Sequence, residues 1–357
     1  MSTGVLSPAS DHRVPSASVA DPVLPLSASW MTIFSERFAG RTFREITLPA
    51  SHDTGMFVLG GTVADVLAIS RITKTQTLNI TDQVVSGGVR VLDLRPVYYE
   101  ADSHSNVPSG YYCAHWSRFM DGRWVGLVGC DWDSACLDLA NALSGLDSGE
   151  VLVVTLGHGA SLAQGGQHGT LDSNQQCFIV KTLLEHCEEH LFLDPLGACV
   201  DFFGMSVSKI LGSQGRAKLF VALNGSSLQD CGFGPGDGCF PPSVFQDQST
   251  WGSANTDDAD KFYAMTCAAL EGYVGQGSGP VNLAWHMTWS PPSLRSLKDY
   301  AEEINPQLKV RLTEWLQAGV FTLENRPALI EWDFIAAASD DPADMLNTCL
   351  WFNRLSI

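Results

Sequence analysis

The chain has 357 residues, of which 45% are hydrophobic, and its 39 Asp and Glu against 21 Lys and Arg give a formal net charge of −18. The hydrophobic fraction is that of a folded protein with a sizeable core, which argues against a disordered chain. The negative charge argues against a nucleic-acid partner and against unaided binding to acidic membranes, and no apolar stretch is long enough for stable membrane insertion.

Residues 1–26 are rich in Ser, Pro and Ala without periodicity, which predicts a flexible N-terminal tail. The rest of the chain, 27–357, is predicted to form a single domain. No basic segment followed by an apolar one begins the sequence, so no signal peptide is predicted and a cytoplasmic location is expected, with secretion as the alternative. The ten cysteines show no CxxC pair and no zinc-site spacing. The oligomeric state is not decided by the sequence.

Strand-like and helical segments alternate after the tail, which is typical of βα units. This order predicts an α/β fold, a (β/α)8 TIM-type barrel, regular or irregular. An open doubly wound sheet is the alternative, although no Gly-rich dinucleotide motif follows the first strand. The predicted strands are 43–49, 89–97, 111–116, 150–157, 218–223, 281–288 and 327–335, with a weak one at 244–251. The predicted helices are 81–86, 134–144, 174–191, 201–211, 294–304, 306–318 and 342–353.

Polar side chains collect at the predicted strand ends, where barrels of this kind carry their chemistry. Asp93 and Arg95 are two apart on one strand and therefore share a face. Histidine suits proton transfer near neutral pH, and arginine presents a planar fork to phosphate oxygens. The pattern therefore indicates acid–base chemistry around a phosphate. The strand-end residues are His52, Arg95, His115, His158, Asn224, His286 and Asp333.

Tryptophans also lie near the predicted strand ends. Each of them is compatible with a place in the core, but together they predict a wall that holds a sugar ring or an apolar group. These residues are Trp116, Trp251, Trp285, Trp289 and Trp332.

Two motifs carry a family resemblance: LPASHDTG at 48–55 and GGVRVLDLR at 87–95. Together with EVLVVTLGH at 150–158 and RPALIEWDFI at 326–335, they resemble the catalytic domain of phosphatidylinositol-specific phospholipase C. The resemblance is to the calcium-independent bacterial form and to fungal phospholipase-C-like phosphodiesterases, and it covers roughly residues 28 to 336.

The resemblance implies a metal-independent phosphodiesterase or phosphorus-oxygen lyase. It makes His52 the general base, oriented by Asp333, and His115 the general acid, paired with Asp53, while Arg95 contacts the phosphate. Attack by a hydroxyl of the substrate itself would give a cyclic phosphate. The expected substrate is a small-molecule or lipid-headgroup phosphodiester, and no cofactor is expected. The candidate substrate-binding residues are Asp93, His158, Asn224, Trp116, His286 and Trp289.

The sequence departs from this family where the bacterial enzymes grip the inositol ring with a Lys after the fourth strand and an Arg after the fifth. Here the matching strands end in Gly157-His158 and Asn224-Gly225, so standard phosphatidylinositol is not the expected substrate. A barrel whose residues have drifted into ligand binding or non-phosphate acid–base chemistry is the alternative.

No metal is expected, because Arg95 occupies the position where calcium-dependent relatives carry an acidic residue, and a guanidinium repels Ca²⁺. The alternative is a magnesium site formed by Asp53, Asp93 and Asp333, as in related glycerophosphodiesterases. Each candidate also has a structural interpretation, as a packed polar side chain or a member of an ion pair.

Overall fold

The structure is a computed structural model that describes residues 28–60, 69–101, 107–118, 124–163, 167–194, 196–211, 216–223, 231–245, 248–250, 255–276, 280–288, 293, 295–322, 325–336 and 343–354. The strands are β1 (Leu48–Ser51), β2 (Val91–Leu94), β3 (Pro96–Tyr99), β4 (Gly110–Arg118), β5 (Trp124–Asp131), β6 (Val151–Leu156), β7 (Ala160–Ala163), β8 (Gln167–Gly169), β9 (Lys218–Leu223), β10 (Cys239–Phe240), β11 (Gln248–Ser249), β12 (Val281–Trp285) and β13 (Leu329–Trp332). The helices are α1 (Trp30–Ile33), α2 (Ser35–Phe38), α3 (Ile69–Thr73), α4 (Ile80–Val85), α5 (Trp132–Ser144), α6 (Ser173–Cys187), α7 (Val207–Leu211), α8 (Ala259–Gln276), α9 (Leu297–Ile304), α10 (Leu308–Ala318) and α11 (Asp344–Arg354).

Parallel strands form the central sheet, and they follow one another across it in chain order as β1, β2, β6, β9, β10, β11, β12 and β13. The last strand pairs with the first, since Leu329 of β13 is the register partner of Leu48 of β1. Within the described residues, the hydrogen-bonded order ends at β10 and β11, which have two residues each. Eight parallel strands in sequential order are the architecture of a TIM-type barrel. The predicted (β/α)8 fold is therefore confirmed.

Side chains of the barrel strands alternate between two cores, as the two-residue period of a strand requires. In β2, Val91 belongs to the core that also contains Leu48, Val153 and Leu329 of the neighbouring strands, whereas Leu92 packs on the other side, towards the helices. Asp93 follows on the same face as Val91 and lines a cavity. One face of the sheet is therefore apolar at the start of the strands and polar at their C-terminal ends.

A second sheet, ordered β5-β4-β3-β7-β8, extends from the C-terminal ends of two barrel strands. Strand β3 begins two residues after β2 ends, and β7 follows β6 closely. Strands β3 and β7 pair with each other in parallel. Strand β4 pairs antiparallel with β3 and with β5. The small core of this second sheet includes Val97, Tyr99, Tyr112 and Val128. This sheet places β4 beside the C-terminal end of β2.

A buried ion pair closes the opposite end of the barrel. Arg90, just before β2, donates from Nε and a terminal nitrogen to Oε2 of Glu150 at 2.9 and 2.6 Å. The other oxygen of Glu150 accepts hydrogen bonds from the backbone and hydroxyl of Thr32 at 2.7 and 2.8 Å. Both charged residues are fully buried. Because each polar atom has partners, the pair joins the N-terminal helices to β2 and β6 at tolerable desolvation cost.

The predicted strand 43–49 is wrong over most of its length. Residues Phe43–Glu45 form a helical turn, because Thr42 and Glu45 cap one another at its start, and β1 begins only at Leu48. A local capping interaction has here replaced the extended conformation that the β-forming residues predicted.

Two further strand predictions need correction. The predicted strand 89–97 is two strands, separated at Arg95, of which only β2 belongs to the barrel. The predicted segment 111–116 is not a barrel strand but part of β4 in the second sheet. Its pairing partners are antiparallel, and a period-two pattern does not distinguish the two kinds of sheet.

The helix predictions are closer, since each predicted helical segment overlaps a helix. Segment 201–211 is helical only over α7, and α1, α2, α3 and α8 were not predicted. The weak strand at 244–251 contains β11, while β10 and, in the second sheet, β5, β7 and β8 were not predicted. The predicted N-terminal tail lies outside the described residues. None of the described helices is long and apolar enough to cross a membrane.

Candidate active site

Three neighbouring barrel strands deliver His52, Asp333 and His286 at one level. Ser51 of β1 and Trp285 of β12 are both register partners of Trp332 in β13, so the next residue of each strand leaves the sheet at the same height. All three side chains are buried. Nδ1 of His52 lies 2.7 Å from Oδ1 of Asp333, a hydrogen-bonding distance. The order of the strands thus assembles a cluster from residues far apart in the sequence.

The turn after β1 is held in an unusual backbone conformation. Asp53 has φ 42°, in the left-handed region that non-glycine residues rarely adopt. The hydroxyl of Thr75 donates to its carbonyl at 2.9 Å, and the Gln76 amide donates to the carbonyls of His52 and Trp332 at 3.0 Å. Such conformations persist where surrounding contacts over-determine them, and they cluster at functional sites.

The turn after β13 shares the same support. Phe334 has φ 50°, and its amide donates to the carbonyl of Thr75 at 2.6 Å. The side-chain amide of Asn305 donates to the carbonyl of Asp333 at 3.1 Å. The segment between α3 and α4 therefore fixes the two turns that carry His52 and Asp333 relative to each other.

Arg95 is held between two carboxylates. Its Nε donates to Oδ2 of Asp93 at 2.9 Å, and a terminal nitrogen lies 2.8 Å from the same oxygen. Nε also lies 2.7 Å from Oδ1 of Asp53. Arg95 follows β2 directly, on the face shared by Asp93, which confirms that the two side chains meet at the barrel end. The guanidinium is thereby fixed in position and orientation.

His115 comes from the second sheet. Its Nδ1 contacts Oδ2 of Asp53, so Asp53 bridges His115 and Arg95. The two histidine rings, His52 and His115, have centroids 6.3 Å apart and are nearly perpendicular. Close approach of β4 to the turn needs Gly55, because a Cβ there would overlap Sγ of Cys113. His115 is thus near the other groups although it does not belong to a barrel strand.

The electrostatic field at the site keeps Asp53 ionised. Burial alone would raise the pKa of the Asp53 carboxyl, but the Arg95 guanidinium and the two adjacent histidines lower it below its usual range. In the same way, burial opposes the charge on Arg95, yet Asp53 and Asp93 raise the pKa of its guanidinium. Asp93 has a raised pKa because of burial.

Burial disfavours the charged forms of both His52 and Asp333. Burial, with nearby His286, lowers the pKa of His52 to about 3, and burial raises the pKa of Asp333 to about 7. His52 is therefore neutral at pH 7, which is the form that can accept a proton. Burial alone would also lower the pKa of His286. The contact with Glu331 and the nearby Asp333 carboxylate outweigh burial, and the pKa of His286 is raised.

A cavity of about 420 Å³ opens beside Arg95. Its apolar wall includes Ala50, Val91, Ala222 and Leu329, which are small or aliphatic. Arg95 is the sole Lys or Arg among the described residues that line it. Its polar lining consists of Asp93, Arg95, Thr155, His158, Ser249, Asn282 and Glu331. The volume suits a small polar group, within the range of ligand pockets.

Glu331 was not predicted from the sequence, although a signal was present. It lies two residues before Asp333, so a strand places both on one face. Its carboxylate accepts a hydrogen bond from Asn282 Nδ2 at 3.3 Å and lies 3.8 Å from Nε2 of His286. Asn282 and His286 share a face of β12 by the same rule.

Within the described parts of the chain, two groups of side chains bring together atoms that are potential metal ligands, and neither suits an ion. His52, His286 and Asp333 form the first. The two imidazole rings are parallel within 2° and stacked at 4.0 Å, so no ion can lie in both ring planes, where the lone pairs point. In the second group, His52, Asp53 and Asp93, the Arg95 guanidinium already contacts both carboxylates. A cation there would meet a fixed positive charge.

The remaining predicted residues have different fates. His158 lines the cavity, and its predicted role in substrate binding stays a prediction. Asn224 and Trp289 lie outside the described residues, as does Trp251. Trp116 neighbours His115 on β4 and so points to the opposite face, where it packs against the core of the second sheet.

The predicted tryptophan wall is wrong for the other two members. Trp285 and Trp332 are buried in the main core. Trp285 packs among Phe262, Tyr263 and Trp315. Successive side chains of a strand alternate between the barrel interior and the helices. Trp285 and Trp332 occupy positions that face the helices.

Comparison with known proteins supports the fold. No family model matches the sequence, and no curated protein matches it either. The fold and its strand-end polar cluster define a TIM-type barrel of the kind that carries its chemistry at the C-terminal ends of the strands. Among solved structures, it shares this fold with bacterial phosphatidylinositol-specific phospholipases C. The resemblance indicated by the sequence motifs is therefore confirmed at the level of the fold.

The similarity extends over most of the chain despite low identity. A mutant of the enzyme from Staphylococcus aureus has a TM-score of 0.55 at 14% identity, covering 92% of this chain and 99% of that one. A pentafluoro-Phe derivative of the same enzyme has a TM-score of 0.56 at 16% identity, with the same coverage. The enzyme from Listeria monocytogenes has a TM-score of 0.55 at 11% identity, covering 88% of this chain and 94% of that one.

Proposed function

We propose that this protein cleaves phosphodiesters without a metal ion. The observation that carries the proposal is that each of two histidines contacts an aspartate through Nδ1, and that one of these aspartates, Asp53, also contacts a fixed arginine. His52 contacts Asp333 at 2.7 Å through Nδ1, and His115 contacts Asp53 through Nδ1. In each pair the aspartate occupies one ring nitrogen, so Nε2 is the atom that exchanges a proton.

The proposed reaction uses the two histidines in turn. Nε2 of His52 takes the proton of a substrate hydroxyl, and that oxygen attacks phosphorus. The bond from phosphorus to the leaving oxygen breaks, and His115 donates a proton from Nε2 to that oxygen. The products are a cyclic phosphate and a free alcohol. General acid–base catalysis of this kind contributes typically 10²–10⁴ in rate.

Arg95 is proposed to stabilise the negative charge on the non-bridging oxygens. Its guanidinium is held by Asp53 and Asp93, so it needs no reorganisation when the charge develops. Asp53 also contacts His115 and therefore couples the position of the general acid to that of the arginine. The fixed cation provides the charge stabilisation that a metal ion supplies in other phosphodiesterases.

The lining of the cavity supports a substrate with hydroxyl groups next to the phosphodiester. Thr155, Ser249 and Asn282 are neutral hydrogen-bonding groups, and Glu331 accepts hydrogen bonds. A multiply phosphorylated group fits poorly, because Glu331 and Asp93 are carboxylates. Standard phosphatidylinositol, on which the structural neighbours are named as acting, belongs in a substrate panel but is not the favoured member.

The test is a phosphodiester panel of inositol, sugar and glycerol diesters, assayed with and without EDTA. Phosphorus NMR of the active member should show a cyclic phosphate before any ring-opened product, with the rate unchanged by EDTA. Direct appearance of an acyclic monoester that carries one oxygen from labelled water would contradict the intramolecular step. Binding of panel members without turnover would favour the drifted, ligand-binding barrel.

A further inference from the structure

We propose that His286 is a positioning residue for the general base, with Glu331 as its anchor. The inference rests on the proposed function, since it assigns His52 as the base. The rings of His52 and His286 are stacked, with centroids 4.0 Å apart and planes within 2°. The sequence placed His286 among the candidate substrate-binding residues, but the described contacts of its ring are with His52 and Glu331.

The stack restrains the base from a direction that Asp333 leaves open. The Asp333 carboxylate contacts His52 at Nδ1, on the edge of the ring, and does not support the face of the ring. His286 covers one face and restrains the ring against tilting. Both histidines are buried, at 2% exposure each, so water does not replace the contact. The plane of His52, and with it the direction of Nε2, is thereby set.

His286 is itself held by β13. Its Nε2 lies 3.8 Å from Oε2 of Glu331, which also accepts a hydrogen bond from Asn282 at 3.3 Å. Ala284 of β12 is the register partner of Glu331, so strand pairing, and not a loop, fixes the position of Glu331 relative to β12. Glu331 lines the cavity, and any substrate group that contacts it is therefore also linked to the orientation of the base.

His286 also acts on the charge of His52. The contact with Glu331 and the nearby Asp333 raise the pKa of His286 against the effect of burial. Burial is the largest cause of the lowered pKa of His52, and His286 is the second. Removal of the His286 ring should therefore raise the pKa of His52. Among the described residues, the other charged or titratable groups around His52 are Asp53 in its own turn, Asp93 on β2, Arg95 after β2, His115 on β4, Glu331 on β13 and Asp333 directly after β13.

Two substitutions separate packing from charge. His286→Ala removes both the ring and its charge, and we expect kcat to fall by about 10–100-fold with KM changed by less than about threefold, because a small misorientation of a catalytic group has this cost. His286→Phe keeps a flat ring, so kcat should fall by less than about tenfold. In both variants the acidic limb of the kcat/KM profile should move to higher pH, by about one unit. His186→Phe on α6, whose partner is Asp133, is the matched control and should behave as wild type.

A second measurement keeps the inference testable if no phosphodiester is cleaved. Histidine-selective ¹⁵N NMR follows the titration of the His52 ring directly, and it should show a higher pKa for His52 in His286→Phe than in wild type. Unchanged His52 titration in both variants, with native near-UV circular dichroism, overturns the inference whatever the activity of the wild type. A loss confined to KM overturns it as well, because it would return His286 to the substrate-binding residues. Absence of turnover by wild type on every panel member counts against the proposed function alone.

Discussion

Arg90 and Arg95 flank the four residues of β2, one at each end, and each contacts a buried carboxylate. Arg90 contacts Glu150 where β2 begins, and neither residue lines the cavity. Arg95 contacts Asp53 and Asp93 at the C-terminal end and lines the cavity. Arginine, the same type of residue, therefore has a structural role at one end of the strand and a proposed catalytic role at the other.

Replacement of Arg95 should separate charge from shape. Arg95→Ala should lower kcat/KM by roughly 10²–10³, the usual cost of losing one preorganised charge-stabilising group. Arg95→Lys should also be severely impaired, because an ammonium cannot reproduce the planar fork. Steady-state kinetics in EDTA is the measurement. Loss of wild-type activity in EDTA, restored by Mg²⁺ or Ca²⁺, would instead make Asp53, Asp93 and Asp333 metal ligands.

Removal of either histidine should abolish most of the activity and leave the fold intact. His52→Ala and His115→Ala should each reduce the rate by about 10²–10⁴, and the wild-type pH profile should be bell-shaped. Rates and thermal unfolding should be measured on the same preparations. Full activity in one variant, with unchanged thermal stability, would give that histidine a structural role.

Asp333→Asn should slow catalysis and stabilise the protein at alkaline pH. Burial raises the pKa of Asp333 from its ordinary 3.8 to about 7, so the folded state binds this proton more tightly than the unfolded state. Stability from this group is therefore complete below about pH 4 and is lost as the pH rises towards 7. Because Asn cannot ionise, urea unfolding at pH 8 should show the variant to be more stable, by up to about 4 kcal/mol.

The rate of Asp333→Asn should fall less than that of His52→Ala, since only the orienting partner is changed. The difference in stability from wild type should disappear at pH 4. A variant that is less stable than wild type at pH 8 would show that the Asp333 carboxylate forms a stabilising ion pair, contrary to this prediction.

Glu150→Gln should destabilise the fold without acting on the site. It leaves the buried Arg90 guanidinium without its counter-charge, which typically costs about 3–5 kcal/mol. The measurement is the free energy of unfolding in urea. Arg44→Ala is the matched control, because its pair with Asp201 is solvent-exposed and such pairs contribute about 0–1 kcal/mol. A Glu150→Gln variant as stable as this control would contradict the structural role of the pair.

Much of the site followed from local sequence. The two-residue period of a strand put Asp93 and Arg95 on one face, and the motifs at 48–55 and 326–335 identified His52 and Asp333. The shared face of Asp93 and Arg95 and the strand-end positions needed only the strand pattern and the rule for parallel barrels, whereas the roles of His52 and Asp333 came from the resemblance of their motifs to a known family. The alternation and the strand-end rule are properties of a short stretch of backbone, so the sequence by itself determined them.

The tertiary structure decided which of these residues meet. His115 was assigned to a barrel strand, but it reaches Asp53 from the antiparallel second sheet, because β4 pairs with β3. The stack of His286 on His52 depends on the register of three strands, in which β13 pairs with β1 and with β12, although more than 200 residues separate β1 from both of them in sequence. Pairing between distant strands is set by packing of the whole barrel, and no local pattern encodes it. The same cause placed Trp285 in the core, on the side of the helices.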